Sequence, residues 1–393
     1  MKNESVAVLD IRSYEVTFLI GAKGVNGTFV FRGSKSEKYE GYTTEGFLDV
    51  ESFCQAAKNC IRSVLQNYDG KIREIVVGVP AAFTRVYTKG QTISVPSKRK
   101  LTRESFDALY EAGLSSLMAT GSYISRSGMY FSLGDNRKYF SADGLLGTPT
   151  SVLQGALCYY FADDKFVSAG EEALDEIGFE KTVYAPQTLA STLYLLPEKR
   201  REGYAFLLDI GFLSSSVSGV YGKGIVHEES FDFGTARILL SLMDGLDVEY
   251  EKAQEILWNA NISGGAIAKD VRWTDVDGRT YSVAQINDIV KCGFDEICER
   301  VDGFFQKYYR DKSLPGFALN PLSVTGEGIG VRGAAEHISK RLGRMTETVC
   351  PDIPYYDKPA YSSRIALLAH ALTGKEKRGV KKILFNLFGG KQK

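Results

Sequence analysis

The chain has 393 residues, 44% apolar and 24% charged, with 22 Phe and 22 Tyr. That is room for two to four domains at ~100–200 residues each, and the composition excludes disorder, a collagen helix and a disulfide-stapled miniprotein. Its net charge is zero, which argues against bulk nucleic-acid binding, but seven basic residues against one acid from Lys375 onward put a basic tail on an acidic body. Six scattered cysteines (Cys54, Cys60, Cys158, Cys292, Cys298, Cys350) lack zinc-knuckle spacing and point to reduced cytosolic thiols. Met1 to Ser5 run straight into a strand-like stretch, so no signal peptide is expected, and no apolar run reaches the ~20 residues of a spanning helix. The expectation is a cytoplasmic, soluble, multidomain protein.

Val6-Ala7-Val8-Leu9-Asp10 and Val16 to Ile20 read as two strands joined by a turn, with Phe29-Val30-Phe31 a third. Asp49 to Asn67 carries Phe53, Ala56, Ala57, Cys60, Ile61, Val64 and Leu65 at helical spacing, and Ile75 to Val79 is a continuous run typical of a buried strand. The texture changes from about Pro80 to Tyr160. Strand-like pieces (Arg85 to Lys89, Tyr123 to Ser127, Met129 to Leu133) flank a helix from Thr102 to Leu117, and Gly144 to Gly155 is rich in Gly and Thr. This stretch reads as a small α+β insertion. Helices are expected at Ala169 to Ile177 and Pro186 to Leu196.

The opening motif then returns. Ala205-Phe206-Leu207-Leu208-Asp209-Ile210-Gly211 repeats the strand-then-Asp arrangement of Val6 to Arg12, and Val217 to Val220 supplies a hairpin partner. Two such units about 200 residues apart mark a duplicated fold. Helices are predicted at Thr235 to Met243, Tyr250 to Trp258 and Val283 to about Tyr309. Pro321 to Gly330 reads as a strand into a glycine loop, and helices follow at Arg332 to Leu342 and Arg364 to Leu372. Glycine turns between two lobes can aim backbone N–H groups at a phosphate chain. An Asp at each strand end can hold a metal ion or orient a water.

Asp10-Ile11, Pro186 with Ala190, Asp209-Ile210-Gly211, and Thr325-Gly326-Glu327-Gly328 with Gly333 occur in the order of the actin-like superfamily. Within it the chain resembles the bacterial cell-division family FtsA along nearly its whole length. The resemblance implies an α/β, two-lobed, actin-like (ribonuclease H-like) fold with an FtsA-type 1C insertion, an SHS2 domain. It places subdomain 1A at 1–79 and 161–203, 1C at 80–160, 2A at 204–229 and 306–372, 2B at 230–305, and a membrane-targeting tail at 373–393. It also implies ATP with Mg2+ bound by Asp10, Ile11, Arg12, Asp209, Gly211, Phe212, Gln254, Gly326, Glu327 and Gly328, with Asp10 and Asp209 the candidates for catalysis.

Departures from the family pattern bear on that site. Arg12 stands for a Gly, and the Asp-x-Gly-Gly-Gly-Thr-Thr-Asp loop reads Asp209-Ile210-Gly211-Phe212-Leu213-Ser214-Ser215-Ser216. Glu327 stands for a Gly, and Ala-Glu-x-x-Lys reads Ala253-Gln254-Glu255-Ile256-Leu257. Phe and Leu fill a phosphate cradle, Glu327 adds negative charge, and Arg12 either pairs with a phosphate or bridges to Asp209. Hydrolysis is expected slow or absent, with ATP a structural or assembly ligand, or the site an empty scaffold. His227, His337 and His370 are isolated, so no metal site beyond Mg2+ is expected.

In the tail, Val380, Ile383, Leu384, Leu387 and Phe388 form one apolar stripe at helical spacing, with Lys381 and Lys382 among the basic flanks. A helix of that kind lies in the interface of an anionic membrane. On the helix near Asp288 to Phe305, the resemblance makes Lys291 and Arg300 contacts for the acidic C-terminal peptide of FtsZ, with Gly293 where the family often has Arg. The expected function is an adaptor tethering FtsZ filaments to the cytoplasmic face of the membrane at the division site and polymerising with itself. A PilM-like scaffold of pilus assembly is the alternative, and a sugar or carboxylate kinase of the same superfamily a third.

Overall fold

The structure, a computed structural model, describes residues 5–24, 28–96, 100–264 and 270–374. The first lobe is built on β1 (Val6–Ile11), β2 (Glu15–Lys23), β3 (Phe29–Lys38), β4 (Glu74–Val79) and β8 (Lys181–Pro186), in the order β8-β4-β1-β2-β3. Both faces of this sheet are covered. Ala7, Leu9 and Ile11 point into a core with helices α1 (Val50–Leu65) and α3 (Asp164–Leu174), whereas Val6 and Val8 point to a helix spanning 362–374. The period-two alternation of a strand sorts one apolar run onto two cores. Asp49 caps α1 by accepting from the N–H groups of Glu51 and Ser52.

The second lobe repeats the plan with β9 (Ala205–Ile210), β10 (Ser215–Tyr221), β11 (Gly224–Phe231), β12 (Leu322–Thr325) and β13 (Thr346–Thr348), in the order β11-β10-β9-β12-β13. Its register matches the first: Asp10 lies opposite Thr17 and Asp209 opposite Ser216, each one residue before its strand ends. Phe206, Leu208 and Ile210 enter a core with α5 (Thr235–Leu246), α6 (Tyr250–Asn259), α7 (Val283–Tyr308) and α8 (Ala334–Leu342). α4 (Gln187–Leu195) links the lobes.

Between β4 and α3 the chain forms β5 (Thr84–Ser94), α2 (Arg103–Ser115), β6 (Ser122–Ser132) and β7 (Val152–Ala162), an antiparallel sheet of order β5-β7-β6. β7 has no counterpart among the expected strands because it is buried on both sides. Leu153, Leu157, Tyr159 and Phe161 face α2, while Cys158 and Tyr160 meet Leu207, Val220 and Ile225 of the second lobe. The pieces expected at Tyr123 to Ser127 and Met129 to Leu133 are one strand interrupted by bulges. β8 and β11 were likewise not legible. β8 opens on a charged residue and ends on Pro186, and β11 carries four polar residues, His227, Glu228, Glu229 and Ser230, in succession. The tail and its stripe from Val380 to Phe388 lie outside the described residues, and no helix among those described is long and apolar enough to cross a membrane.

Glu228 sits at the junction of the lobes and the inserted sheet. Both carboxylate oxygens are buried without a hydrogen bond of normal geometry, with the Thr188 hydroxyl of α4 nearby. Burial pushes its pKa up to about 7. The native state therefore holds a proton the unfolded chain releases earlier, so stability falls as pH rises from the ordinary glutamate range to about 7 and stays reduced above it. Glu228→Gln removes that loss. Its melting temperature should exceed the parent's by a few degrees at about pH 8 and match it near about pH 5, a comparison made by differential scanning calorimetry.

Candidate functional site

The two strand-end aspartates face a cleft that the chain's own loops close. Arg12 follows β1 in a tight turn, its N–H bonded to the Glu15 carbonyl at 2.8 Å and its own carbonyl accepting from Tyr39 Oη at 2.6 Å. Its guanidinium crosses to the other lobe and donates to both oxygens of Asp209, Nη1 to Oδ2 at 2.6 Å and Nη2 to Oδ1 at 2.8 Å. Burial pulls the Arg12 pKa down, but the Asp209 charge and hydrogen bonds more than offset it, and the net shift is upward. Such a bidentate pair is among the stronger polar contacts.

Two further contacts reinforce it. Ser13 Oγ accepts from the backbone N–H groups of Leu213 (3.0 Å) and Ser214 (3.4 Å), donors that in a phosphate loop would face an anion. Tyr14 stacks on Phe212 with ring centroids 4.4 Å apart. A more exposed strap lies to one side, where Thr44 donates its N–H (2.7 Å) and its hydroxyl (2.6 Å) to Asp232.

Asp10 is buried and held within its own lobe, accepting from Gln187 Nε2 at 2.8 Å and from Ser363 Oγ, while Oδ2 has no protein partner. Burial raises its pKa, against the opposing charges of Arg364 and Arg12. Ile11, an expected binding residue, lies in the first-lobe core and lines neither cavity of the cleft. A cavity of about 40 Å³ remains between the lobes, lined by Ser13, Gln187, Ser191, Asp209, Gly211 and Ser363 among others. That is space for a few waters at ~10–15 Å³ each, not for a chain of phosphates.

On the outer side of Arg12 the cleft widens to a cavity of about 470 Å³, walled by Tyr14, Phe212, Tyr250, Gln254, Trp258 and Glu327 among others. Gly326 has φ +92°, and a Cβ there would strike the Asp209 carboxylate and the Ile210 carbonyl, so glycine is required. Gly328 packs on Ile210 and Thr235. Glu327 accepts from Thr235 Oγ1 at 3.2 Å, and burial raises its pKa. Gln254 is tied to Tyr250 Oη at 2.9 Å.

The structure thus brings Arg12, Asp209, Gly211, Phe212, Gln254, Gly326 and Glu327 to one cleft. Lys291 and Arg300 are not brought together. Nine residues apart, about two and a half turns, they lie on opposite sides of α7: Lys291 borders α8 and Arg300 leans over the Phe233 ring. Gly293 is buried against Ile238, where a longer side chain would not fit. Sequence reasoning missed Ser13, Tyr14, Gln187 and Ser363. Gln187 alone had a signal, following Pro186 at the start of the linking helix.

No family model and no curated protein sequence matches the chain. Solved structures do. A PilM–PilN type IV pilus biogenesis complex is similar at 12% identity and TM-score 0.60, covering 93% of this chain and 98% of that one. The ethanolamine utilization protein EutJ from Carboxydothermus hydrogenoformans follows at 11% and 0.53, covering 94% and 91%. MreB5 of Spiroplasma citri bound to ADP gives 10% and 0.53, covering 98% and 99%, and it was also solved with AMPPNP. The chain has the two-lobed α/β fold of the actin-like ATPases; these likenesses do not single out FtsA.

The residues between the two strand-end aspartates fit ATP with Mg2+ poorly: the Arg12–Asp209 pair spans the gap, the loop donors of Leu213 and Ser214 are spent on Ser13, and Glu327 adds a carboxylate to the wall of the wider outer cavity. If the pair holds the lobes, Arg12→Ala should cost about 2–4 kcal/mol by leaving Asp209 unpaired. Arg12→Ala/Asp209→Ala should recover part of that loss, with a coupling above about 1 kcal/mol in a urea-unfolding double-mutant cycle.

Proposed function

We propose that this chain is a non-hydrolysing, actin-like scaffold at the cytoplasmic face of the membrane, holding protein partners rather than turning over ATP. The ion pair from Arg12 to Asp209 carries the reading, because it ties the turn after β1 to the strand-end aspartate of the other lobe and leaves only a small cavity between them. A kinase needs that place open and a general base above it. The amphipathic stripe at Val380, Ile383, Leu384, Leu387 and Phe388, with Lys381 and Lys382, supports a membrane tether. As an adaptor of the cell-division kind it would link FtsZ filaments to the bilayer at the division site and assemble with itself. The likeness to PilM in complex with PilN favours the second reading, a scaffold of pilus assembly.

Liposome flotation tests the tether and the partner together. The full-length chain should rise with anionic vesicles and a truncation after Thr373 should not. Purified FtsZ carried upward with it supports the division role, and an N-terminal PilN-type segment captured instead supports the pilus role. Calorimetric titration with ATP and Mg2+ should give no saturable heat. Saturable binding with turnover, or substrate-dependent turnover across a metabolite panel, overturns the scaffold reading.

A further inference from the structure

The three large sheets differ in how their edges are protected. β8 packs against β6, and β11 is covered by the inserted sheet, with Ile225 N–H donating to Tyr160 Oη at 3.0 Å. β13 is three residues long. β3 pairs with β2 across a bulge and carries charges of both signs, including the Lys35–Glu37 pair, and β6 carries two bulges. Short length, bulges, charged side chains (lysine above all) and cover are the usual means of blunting an edge.

β5 is long, unbulged and uncovered over most of its length, and the two bases it carries are the one such device it has. It is eleven residues long and pairs with β7 residue for residue from Thr84 to Ser94 without a register shift. Among the described residues no backbone hydrogen bond reaches its other edge. Val86 near its start packs against the second lobe, but Thr88, Gly90, Thr92 and Ser94 are exposed, and a Cβ at Gly90 would meet nothing.

Its charges say what could pair there. The strand has two bases, Arg85 and Lys89, and no acid. Arg85 is engaged by Asp163 at 3.1 Å, whereas Lys89 has no ion pair among the described residues. Lys89 is also the middle residue of the eleven. A symmetric antiparallel pairing of two copies would set Lys89 opposite itself, a repulsive cross-strand pair. The same lysine attracts a strand with Glu or Asp in that position.

We propose that the free edge of β5 is a docking site for an extended, acidic segment of a partner protein, which adds to the inserted sheet as a fourth strand. The proposal supplies partner chemistry for the scaffold role but rests on the edge alone, so nucleotide binding in the cleft would leave it standing. The test uses the full-length chain and two fluorescein-labelled dodecamers, one alternating Glu with Val and Thr, the other Lys with Val and Thr. Anisotropy should report binding of the Glu dodecamer and little of the Lys dodecamer. Amide exchange should slow across 84–94 and not across 122–132. Lys89→Glu at this half-buried position, with an unchanged circular dichroism spectrum as the check on folding, should weaken the Glu dodecamer by about tenfold and reverse the preference. Binding without protection of 84–94, no binding of either dodecamer, or an unchanged preference in Lys89→Glu overturns the proposal.

Discussion

The bridge between Arg12 and Asp209 is the contact on which the cleft depends. Each lobe has its own core, and register alone fixes an aspartate one residue before the end of β1 and of β9. The Asp209 charge repels both Asp10 and Glu327, and that repulsion would favour an open cleft. One residue past the end of β1, Arg12 supplies the compensating charge. It offsets Asp209 directly, and its field also opposes the upward shifts of Asp10 and Glu327. Arg364, which donates to Glu15 at 2.8 Å, adds a second positive charge from the first lobe.

The unusual loop residues form a set around this bridge. Phe212 needs a partner surface, which Tyr14 supplies. Leu213 leaves its N–H to Ser13, and its side chain takes the space that a Cβ at Gly41 would need. Gly41, at φ +101°, is therefore glycine for two reasons, its backbone conformation and the approach of Leu213. Arginine, serine and tyrosine in one loop answer aspartate, leucine and phenylalanine in the other. Substituting a phosphate-binding glycine singly would leave a hole or a clash, whereas these replacements fill each other's space and hydrogen-bonding needs.

The duplicated strand–Asp motif was legible because β1 and β9 are continuous apolar runs ending on an acid. Fold class followed from it, while the helices were legible from the spacing of their apolar residues. The alternative for Arg12, a phosphate or Asp209, could not be decided from residues about 200 apart in sequence, since it depends on the closeness of the two turns. Ser13 and Tyr14 gave no signal for the same reason, being ordinary turn residues until the other loop stands opposite them. β7 escaped notice because its alternation divides apolar residues between two cores and so reads as no pattern. Lys291 and Arg300, nine residues apart on one helix, lie half a revolution apart.

The inserted sheet extends this logic to the whole molecule. Through Cys158 and Tyr160 it packs on Leu207, Val220 and Ile225, joining the first lobe's insertion to the second lobe's hairpin near the linking helix. The lobes are thus held by a polar clasp at the cleft and by an apolar junction beside α4. Opening the cleft would have to break the ion pair, unstack Tyr14 from Phe212 and expose the junction core together. That coupling favours a single closed arrangement. Information in such a body passes through its surfaces, and the long regular edge of β5, left unpaired while the others are short, bulged, mixed in charge or covered, is the surface whose backbone still has hydrogen bonds to offer.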